Sequence, residues 1–287
     1  MRPFDFQSPT SLTDALAMLE RDRGEVDPIA GGQSLLLALK ARQVAPRRLV
    51  NLMAVPELAG VRVADEHLWL GPTVTYAELV EVPEVDPVHG FIARVVANIA
   101  DRAVRTMATL GGAICQADPA FDVPVLMTAV DASFELSAAG ARRRVAAANF
   151  FRGPSSTARA PEELLTGIFV PRKPPDWHWG FAKQGMRVHD AALASVVLGL
   201  TIDADDLVTA GTVVVGGAVG SPCHAPETER WCQGRALDEL EAELGPRIAA
   251  EIEPDVVSPR FSTAYRQRLV PGVSRRALRH ALESRAD

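Results

Sequence analysis

Two glycine pairs carry the clearest chemical signal in this sequence. They lie in the segments Ala30-Gly31-Gly32-Gln33-Ser34-Leu35 and Thr109-Leu110-Gly111-Gly112-Ala113. The first pair joins a predicted strand to a predicted helix, whose first N–H groups point outward, and the second also presents backbone donors to an anion. A single glycine pair is weak evidence, and alone it is more typical of a plain tight turn. Two such segments far apart in the chain favour a dinucleotide, because its two phosphates and extended shape suit two donor loops.

A carboxylate, Asp122, follows the second glycine pair. It is either an acceptor for sugar or ribityl hydroxyls, or an exposed first-turn carboxylate that the helix dipole favours. The sequence has no G-x-G-x-x-G fingerprint, no G-x-S-x-G elbow and no complete G-x-x-x-x-G-K-[ST] loop, since Gly217 stands where lysine is needed. A bound dinucleotide would therefore be held by neither a Rossmann turn nor a Walker loop.

The composition indicates a folded protein and argues against some classes of function. The chain has 287 residues, 47% hydrophobic and 23% charged, which is typical of a folded protein with one large domain or two to three compact ones. Its 30 Lys and Arg against 36 Asp and Glu give a net charge of -6, which argues against nucleic-acid binding. Short basic runs at 142–144 and 46–48 are either solvated strand edges or an anion site. Without a signal-peptide or membrane-spanning stretch, we expect a cytoplasmic location.

The three cysteines, Cys115, Cys223 and Cys232, have unrelated spacings. This argues against a disulfide framework and favours a reducing compartment. Cys223-His224 with Cys232 is the nearest approach to a metal motif, but no second close pair completes a zinc or iron–sulfur site. We therefore expect no metal in this chain.

The predicted elements divide the chain into three parts. Residues 1–56 hold a helix capped by Ser11, a strand at 26–30, a helix over 35–40 and a strand at 48–52. Residues 57–176 hold a hairpin at 61–63 and 67–70, helices at 75–81, 87–100 and 119–130, and strands at 132–137, 142–146 and 164–170. The proline cluster at 171–176 marks the boundary to the last part.

Residues 177–287 contain three predicted strands, at 177–186, 191–202 and 207–218, followed by predicted helices at 236–253 and 261–283. Strands followed by helices favour an antiparallel sheet with helices on one face. The predicted fold class is therefore α+β.

Taken in order, the motifs of this chain resemble those of one family. After Ala30–Leu35 come Arg105, Thr109–Gly112 and Ala117-Asp118-Pro119-x-x-Asp122-x-Pro124. Further along are Phe150-Phe151-x-Gly153, Glu163–Pro171, Lys183-x-x-x-Arg187-x-x-Asp190-x-Ala192, Gly216-Gly217, Pro222, Tyr265-Arg266 and Arg275–Leu278. Over nearly the whole chain, this set resembles the FAD-binding medium subunit of molybdenum hydroxylases. That family includes bacterial carbon monoxide, xanthine and N-heterocycle dehydrogenases.

The resemblance implies a PCMH-type fold, with two α/β FAD-binding subdomains and a C-terminal antiparallel sheet with helices, and it implies FAD as the cofactor. It also implies two partners, a [2Fe-2S] small subunit and a molybdopterin large subunit, assembled as a dimer of heterotrimers. In that family, electrons from a substrate oxidised at molybdenum pass through the clusters to FAD and then to an external acceptor. The chain would be the flavin-carrying oxidoreductase subunit, with no catalytic side chain of its own.

The resemblance also assigns roles to single positions. Ala30–Ser34 and Thr109–Ala113 would wrap the FAD pyrophosphate with backbone donors, and Asp122 would bind cofactor hydroxyls. Leu165 would pack near the adenine or the flavin edge. Lys183 would lie near the isoalloxazine, the alternative being an ordinary surface lysine.

Two positions depart from the family pattern. Ala113 stands where Asn usually follows the glycine pair, and Ala191 stands where Tyr or Trp often shields the flavin. His189 is either a proton donor or a plain loop histidine. The two departures keep one alternative open, a cofactor-free structural subunit of the same complex. A self-contained flavin oxidase is a further alternative, although the sequence offers no obvious nucleophile or acid–base cluster for it.

Overall fold

The computed structural model describes residues 2–83, 86–256 and 258–285. The first and last positions of the predicted division, 1 and 287, lie outside the described residues. Within them, the strands form sheets of three, five, four and two strands, and helices pack between the larger sheets, which confirms the α+β class. No helix in this part of the chain is both long and apolar enough to cross a bilayer.

A small parallel sheet forms the N-terminal part. Its elements are β1 (Asp5–Gln7), α1 (Leu12–Arg21), β2 (Val26–Ile29), α2 (Leu35–Lys40) and β3 (Arg48–Asn51). The strand order is β1-β3-β2, with both pairs parallel. Helix α1 begins as predicted, because the Ser11 hydroxyl accepts a hydrogen bond from the N–H of Asp14. The predicted order of strand, glycine pair and helix at 26–40 is confirmed.

An antiparallel sheet of five strands forms the middle part, in the order β4-β5-β10-β6-β7. The elements are β4 (Val61–Val63), β5 (His67–Leu70), α3 (Tyr76–Glu81), α4 (Pro87–Ala97), α5 (Arg102–Arg105), α6 (Leu110–Gln116), α7 (Asp122–Ala129), β6 (Ser133–Ala138), β7 (Ala141–Ala146), α8 (Ala147–Phe150), β8 (Phe151–Gly153), β9 (Ser156–Thr157) and β10 (Leu164–Pro171). Alternate residues of β5, Leu68 and Leu70, face a core that α4, α6 and α7 complete. Every residue of α7 is buried, so this helix lies in the interior.

Two predicted helices in this part have different bounds, and one expected turn is part of a helix. The helix expected at 119–130 begins only at Asp122, because the Asp118 carboxylate accepts a hydrogen bond from the Ala120 N–H and forms a turn before it. The helix expected at 87–100 ends at Ala97. The glycine pair at 111–112, expected in a turn, lies in the first turn of α6.

The C-terminal part is an antiparallel sheet of four strands, in the order β11-β12-β13-β14. Its elements are β11 (His178–Gln184), β12 (Ala194–Ile202), β13 (Val208–Gly216), β14 (Cys223–His224), α9 (Pro226–Cys232), α10 (Leu237–Glu251) and α11 (Thr263–Glu283). The predicted helices α10 and α11 both form. Helices α11 and α9 lie on the face of the sheet that includes Leu198, and α10 packs against both of them. Helix α7 lies on the other face, which includes Val197. Gly180 lets α11 lie directly on β11, because a Cβ there would be 1.9 Å from the Ala277 carbonyl oxygen. The sheet is therefore buried on both faces.

The basic run at 142–144 lies on β7, the run at 46–48 leads into β3, and both form ion pairs. On the edge strand β7, Arg142 forms an ion pair with Glu135, and Arg143 forms one with Glu163. Arg144 stacks on the ring of Phe169 in β10. The run at 46–48 also pairs with acidic neighbours. This favours solvated strand edges over an anion site, since charged side chains also protect an edge strand from pairing with other chains.

The division into 1–56, 57–176 and 177–287 stays a prediction. Each of these ranges contains one of the three larger sheets, which supports it.

Candidate functional site

A cleft of about 410 Å³ is lined by residues from all three parts of the chain. The predicted site residues that line it are Ala30, Gly31, Gly32, Gln33, Ser34, Leu35, Thr109, Gly111, Gly112, Ala113, Asp122, Leu165 and Lys183. Leu110 points elsewhere, because its side chain is fully buried in the core of the middle part. The fold thus gathers into one cleft residues that are far apart in the sequence.

The first glycine segment presents free backbone donors. The N–H groups of residues 31–34 donate to no acceptor among the described residues. Just beyond them α2 begins, where the N–H of Leu36 donates to the Gly32 carbonyl at 3.0 Å. Gly32 has a φ of +69°, which glycine adopts without strain. A row of unpaired N–H groups in such a turn is suited to phosphate oxygens.

Gly31 is required for space rather than for backbone conformation. A Cβ at this position would lie 1.7 Å from the carbonyl oxygen of Met107 and 3.2 Å from the Cα of Ala108. The first glycine segment therefore lies directly on the backbone that leads into α6. This contact fixes the relative position of two walls of the cleft.

The second glycine segment differs from the expectation, because the backbone N–H groups of residues 110–113 already donate within the chain. Thr109 caps α6, and its hydroxyl and carbonyl accept hydrogen bonds from the N–H groups of Gly112 and Ala113 at 3.0 and 3.1 Å. The N–H groups of Leu110 and Gly111 donate to carbonyls of the loop before α3 at 3.0 and 2.8 Å. The segment forms a wall of the cleft rather than a second row of free donors, and its contact with a ligand stays a prediction.

A buried ion pair borders the cleft. The ammonium of Lys183, on β11, donates to Oδ2 of Asp122, in the first turn of α7, at 2.5 Å. Only 9% of the Lys183 side chain and 2% of the Asp122 side chain are exposed. The surface-lysine and exposed-carboxylate interpretations are therefore wrong. Burial raises the pKa of Asp122, and the adjacent ammonium opposes this rise.

The second carboxylate oxygen of Asp122, Oδ1, is buried and has no hydrogen-bond partner in the described part of the chain. An unpaired buried acceptor is unfavourable, so this oxygen is suited to a hydroxyl donor on a ligand. Tyr76 also lines the cleft. Burial, with the charge of Asp122 adding to it, raises the pKa of Tyr76, so its phenol stays protonated.

His189 fastens the loop between β11 and β12 to the end of α4. Its Nδ1 lies 3.0 Å from the carbonyl oxygen of Asn98, and its own carbonyl accepts a hydrogen bond from the N–H of Ala100 at 3.3 Å. These bonds favour the plain loop histidine over the proton donor. Ala191 also lines the cleft, and its methyl group leaves this side without a ring at that position.

Sequence reasoning missed several polar residues of the cleft, among them Asp27, Cys115 and Arg159. Burial raises the pKa of Asp27 and of Cys115, and the positive charge of Arg159 opposes both shifts. None of the three lies in a motif that names its chemistry. Only the position of Asp27 in the sequence could have indicated its place in the cleft, because it lies in the strand that leads into the first glycine segment.

The cysteine-histidine segment forms hydrogen bonds rather than a metal site. In the described ranges, no group of three or more His, Cys, Asp or Glu side chains is placed to hold a metal ion. His224 instead pairs with Glu229 through Nδ1 and Oε1 at 2.9 Å, and this bond raises the pKa of His224. Burial raises the pKa of Cys232 to about 12, so its thiol stays protonated.

The cleft suits an extended, phosphate-bearing cofactor that lies across all three sheets, and FAD fits it. The N–H row offers donors to phosphates, and Asp122 Oδ1 offers an acceptor to a hydroxyl. Residues 2–173 match the family described as the FAD binding domain in molybdopterin dehydrogenase, and residues 180–281 match the CO dehydrogenase flavoprotein C-terminal domain. The chain belongs to this family of FAD-binding medium subunits of molybdenum hydroxylases, as predicted, and is an oxidoreductase subunit.

Similarity to known proteins extends over the whole chain. The carbon monoxide dehydrogenase medium chain of Afipia carboxidovorans is 30% identical over 278 residues, which cover 97% of this chain and 96% of that one. The nicotine 6-hydroxylase medium subunit of Paenarthrobacter nicotinovorans is 31% identical and covers 95% of each chain. A solved structure of reconstituted CO dehydrogenase from Oligotropha carboxidovorans superposes with a TM-score of 0.93 at 28% identity, covering 99% of each chain.

Proposed function

We propose that this chain is the FAD-carrying electron-transfer subunit of a three-subunit molybdenum hydroxylase. When bound, FAD accepts electrons from the [2Fe-2S] clusters of a small subunit and passes them to an external acceptor, while a molybdopterin large subunit oxidises the substrate. The observation that carries this proposal is the pairing, in one cleft, of free N–H groups at 31–34 with the buried Asp122–Lys183 pair. The similarity to medium chains of multi-subunit dehydrogenases supports it.

The side chains and backbone of this chain bind and tune the cofactor. The N–H groups at 31–34 hold the pyrophosphate, and Asp122 Oδ1 accepts a hydrogen bond from a cofactor hydroxyl. The Lys183 ammonium lies at the flavin end, and its N–H donors that Asp122 does not accept favour the negatively charged reduced ring. Leu165 supplies apolar surface in the same cleft.

The proposal includes the assembly of the complex and its location in the cell. The complex is a dimer of heterotrimers, and it works in the cytoplasm, where the three free cysteines remain reduced. The free N–H row and the unpaired Asp122 oxygen favour FAD binding over a cofactor-free structural subunit. A self-contained flavin oxidase would require steady turnover of a small organic substrate by the isolated chain.

Removing FAD from the purified complex tests this role. The clusters are first reduced with limiting dithionite and then mixed with oxygen, a quinone or NAD, while their absorbance is followed. We expect cluster reoxidation to slow at least about tenfold without FAD and to recover when FAD is added back. The reason is that FAD passes electrons from the clusters to the external acceptor. Equal reoxidation rates with and without FAD, for every acceptor, would overturn the proposed electron path.

A further inference from the structure

Arg159 is a cleft residue held in place by its own chain. Its Nη1 donates to the carbonyl oxygens of Glu163, Ala160 and Pro161 at 2.7, 3.1 and 3.3 Å. These carbonyls belong to the turn that enters β10. The other guanidinium nitrogens, Nε and Nη2, donate to no acceptor among the residues that the structure describes. Because Arg159 lines the cleft, these two nitrogens can donate to a ligand there. The side chain is thus a pre-positioned donor, which loses little conformational entropy when a ligand binds.

Arg159 and Lys183 are neighbours of different residues of the cleft. The charge of Arg159 acts on Asp27 and Cys115, whereas the charge of Lys183 acts on Asp122. Asp27 lies on β2, directly before the N–H row at 31–34, so the phosphate-binding segment adjoins the Arg159 region. A dinucleotide whose flavin lies beside Lys183 would therefore place its other nucleoside beside Arg159.

The surroundings of Arg159 suit a purine nucleoside. Apolar side chains from β2, β10 and the end of β3 line this part of the cleft: Pro28, Ile29, Leu52 and Leu164. A planar base can pack on such a surface, and a guanidinium can stack on its face or donate to its ring nitrogens. Asp27 supplies an acceptor for a ribose hydroxyl or for the exocyclic amino group of adenine.

We propose that Arg159, together with Asp27, makes this cleft selective for a dinucleotide flavin over a flavin mononucleotide, by binding the adenosine half. This inference rests on the proposed function. It adds a specificity-determining residue to it, because a mononucleotide makes the contacts near Lys183 but reaches neither Arg159 nor Asp27.

The test is a binding titration of the full chain, stripped of flavin, with FAD, FMN and ADP, read by flavin fluorescence and by ADP competition. For Arg159→Leu we expect the Kd of FAD and of ADP to rise at least about tenfold, and that of FMN to change by less than about twofold. Arg152→Leu is the matched control, since Arg152 is an exposed arginine of the same segment, and it should change none of the three. Asp27→Asn lies outside the turn that Arg159 holds and should weaken FAD and ADP by about threefold without affecting FMN.

The outcomes are distinguishable. If Arg159→Leu weakens FAD and FMN alike, Arg159 only holds the turn before β10 and the inference is overturned. An unchanged Kd of FAD in Arg159→Leu overturns it as well, whatever Asp27→Asn does. If Arg159→Leu does not fold, the Asp27→Asn result decides alone. A wild-type chain that binds neither FAD nor FMN contradicts the proposed function itself.

Discussion

Replacing Gly31 by Ala is expected to lower the FAD content of the purified chain to less than about a tenth of the wild-type value. The new methyl carbon would lie 1.7 Å from the Met107 carbonyl oxygen, far inside van der Waals contact. Because the obstacle is backbone rather than a flexible side chain, the first glycine segment must move away from α6. That movement displaces the N–H row at 31–34. Flavin absorbance relative to protein absorbance after gel filtration measures the effect.

Two other glycines provide controls for this prediction. Gly32→Ala introduces strain at a φ of +69°, but its methyl group would meet the flexible side chains of Leu36 and Ile29 rather than backbone, so we expect a smaller loss of FAD. Gly272→Ala places its methyl group in open space on α11 and should leave FAD content unchanged. A Gly31→Ala chain that keeps wild-type FAD content would show that the contact with Met107 does not set the cleft geometry.

Replacing Lys183 by Met is expected to reduce the unfolding free energy of the flavin-free chain by about 3–5 kcal/mol at neutral pH. The change leaves the Asp122 carboxylate buried without a counter-ion. Substituting both residues, as Asp122→Asn with Lys183→Met, should restore most of the stability, because no charge then remains buried. Urea unfolding of the single and double variants measures these differences.

The same variant should show a pH dependence of definite sign. Burial raises the pKa of Asp122, and Lys183→Met removes the charge that opposes this rise. The folded state then binds a proton more readily than the unfolded state, so the stability loss of Lys183→Met should stay constant at high pH and shrink as pH falls through the folded pKa of Asp122 toward its lower unfolded pKa.

Lys173→Met is the matched control for Lys183→Met. Lys173 also contacts an aspartate at 2.5 Å, but that partner, Asp131, has 57% of its side chain exposed. Removing such an exposed pair should change stability by about 1 kcal/mol or less. The account of the buried pair is contradicted if Lys183→Met is no more destabilising than Lys173→Met, or if the double variant is as unstable as Lys183→Met.

Local features of the sequence were sufficient to predict the elements around the first glycine segment. Ser11 caps its helix through a neighbour three residues away, and β2, the glycines and α2 follow one another directly. Features that depend on distant contacts were missed. Strand β1 has three residues, and its Phe6 is 57% exposed, so no burial pattern marks it before β3 pairs with it.

Helix α6 was missed because its first turn contains two glycines, which disfavour helix on their own. The Thr109 cap and hydrogen bonds to the loop before α3 stabilise it instead, and these same bonds use the N–H groups that the sequence suggested were free. The family resemblance identified the residues of this segment, but only the three-dimensional contacts reveal which glycine pair keeps open donors.

The ion pair of the site could be predicted only in part. Asp122 and Lys183 were each identified by their place in the family pattern, yet they are 61 residues apart, and nothing in the sequence shows that they touch. Arg159 was not identified at all, since its fixed orientation comes from three backbone carbonyls rather than from a motif.

The most direct test of the central claim is the flavin content of the full chain, purified with its partner subunits and supplied with FAD. Flavin released by heat is identified by chromatography and counted against the chain concentration. We expect FAD, and not FMN, at about one molecule per chain, bound in the cleft that Gly31, Asp122 and Lys183 line. A folded chain that assembles with its partners but retains no FAD would contradict it.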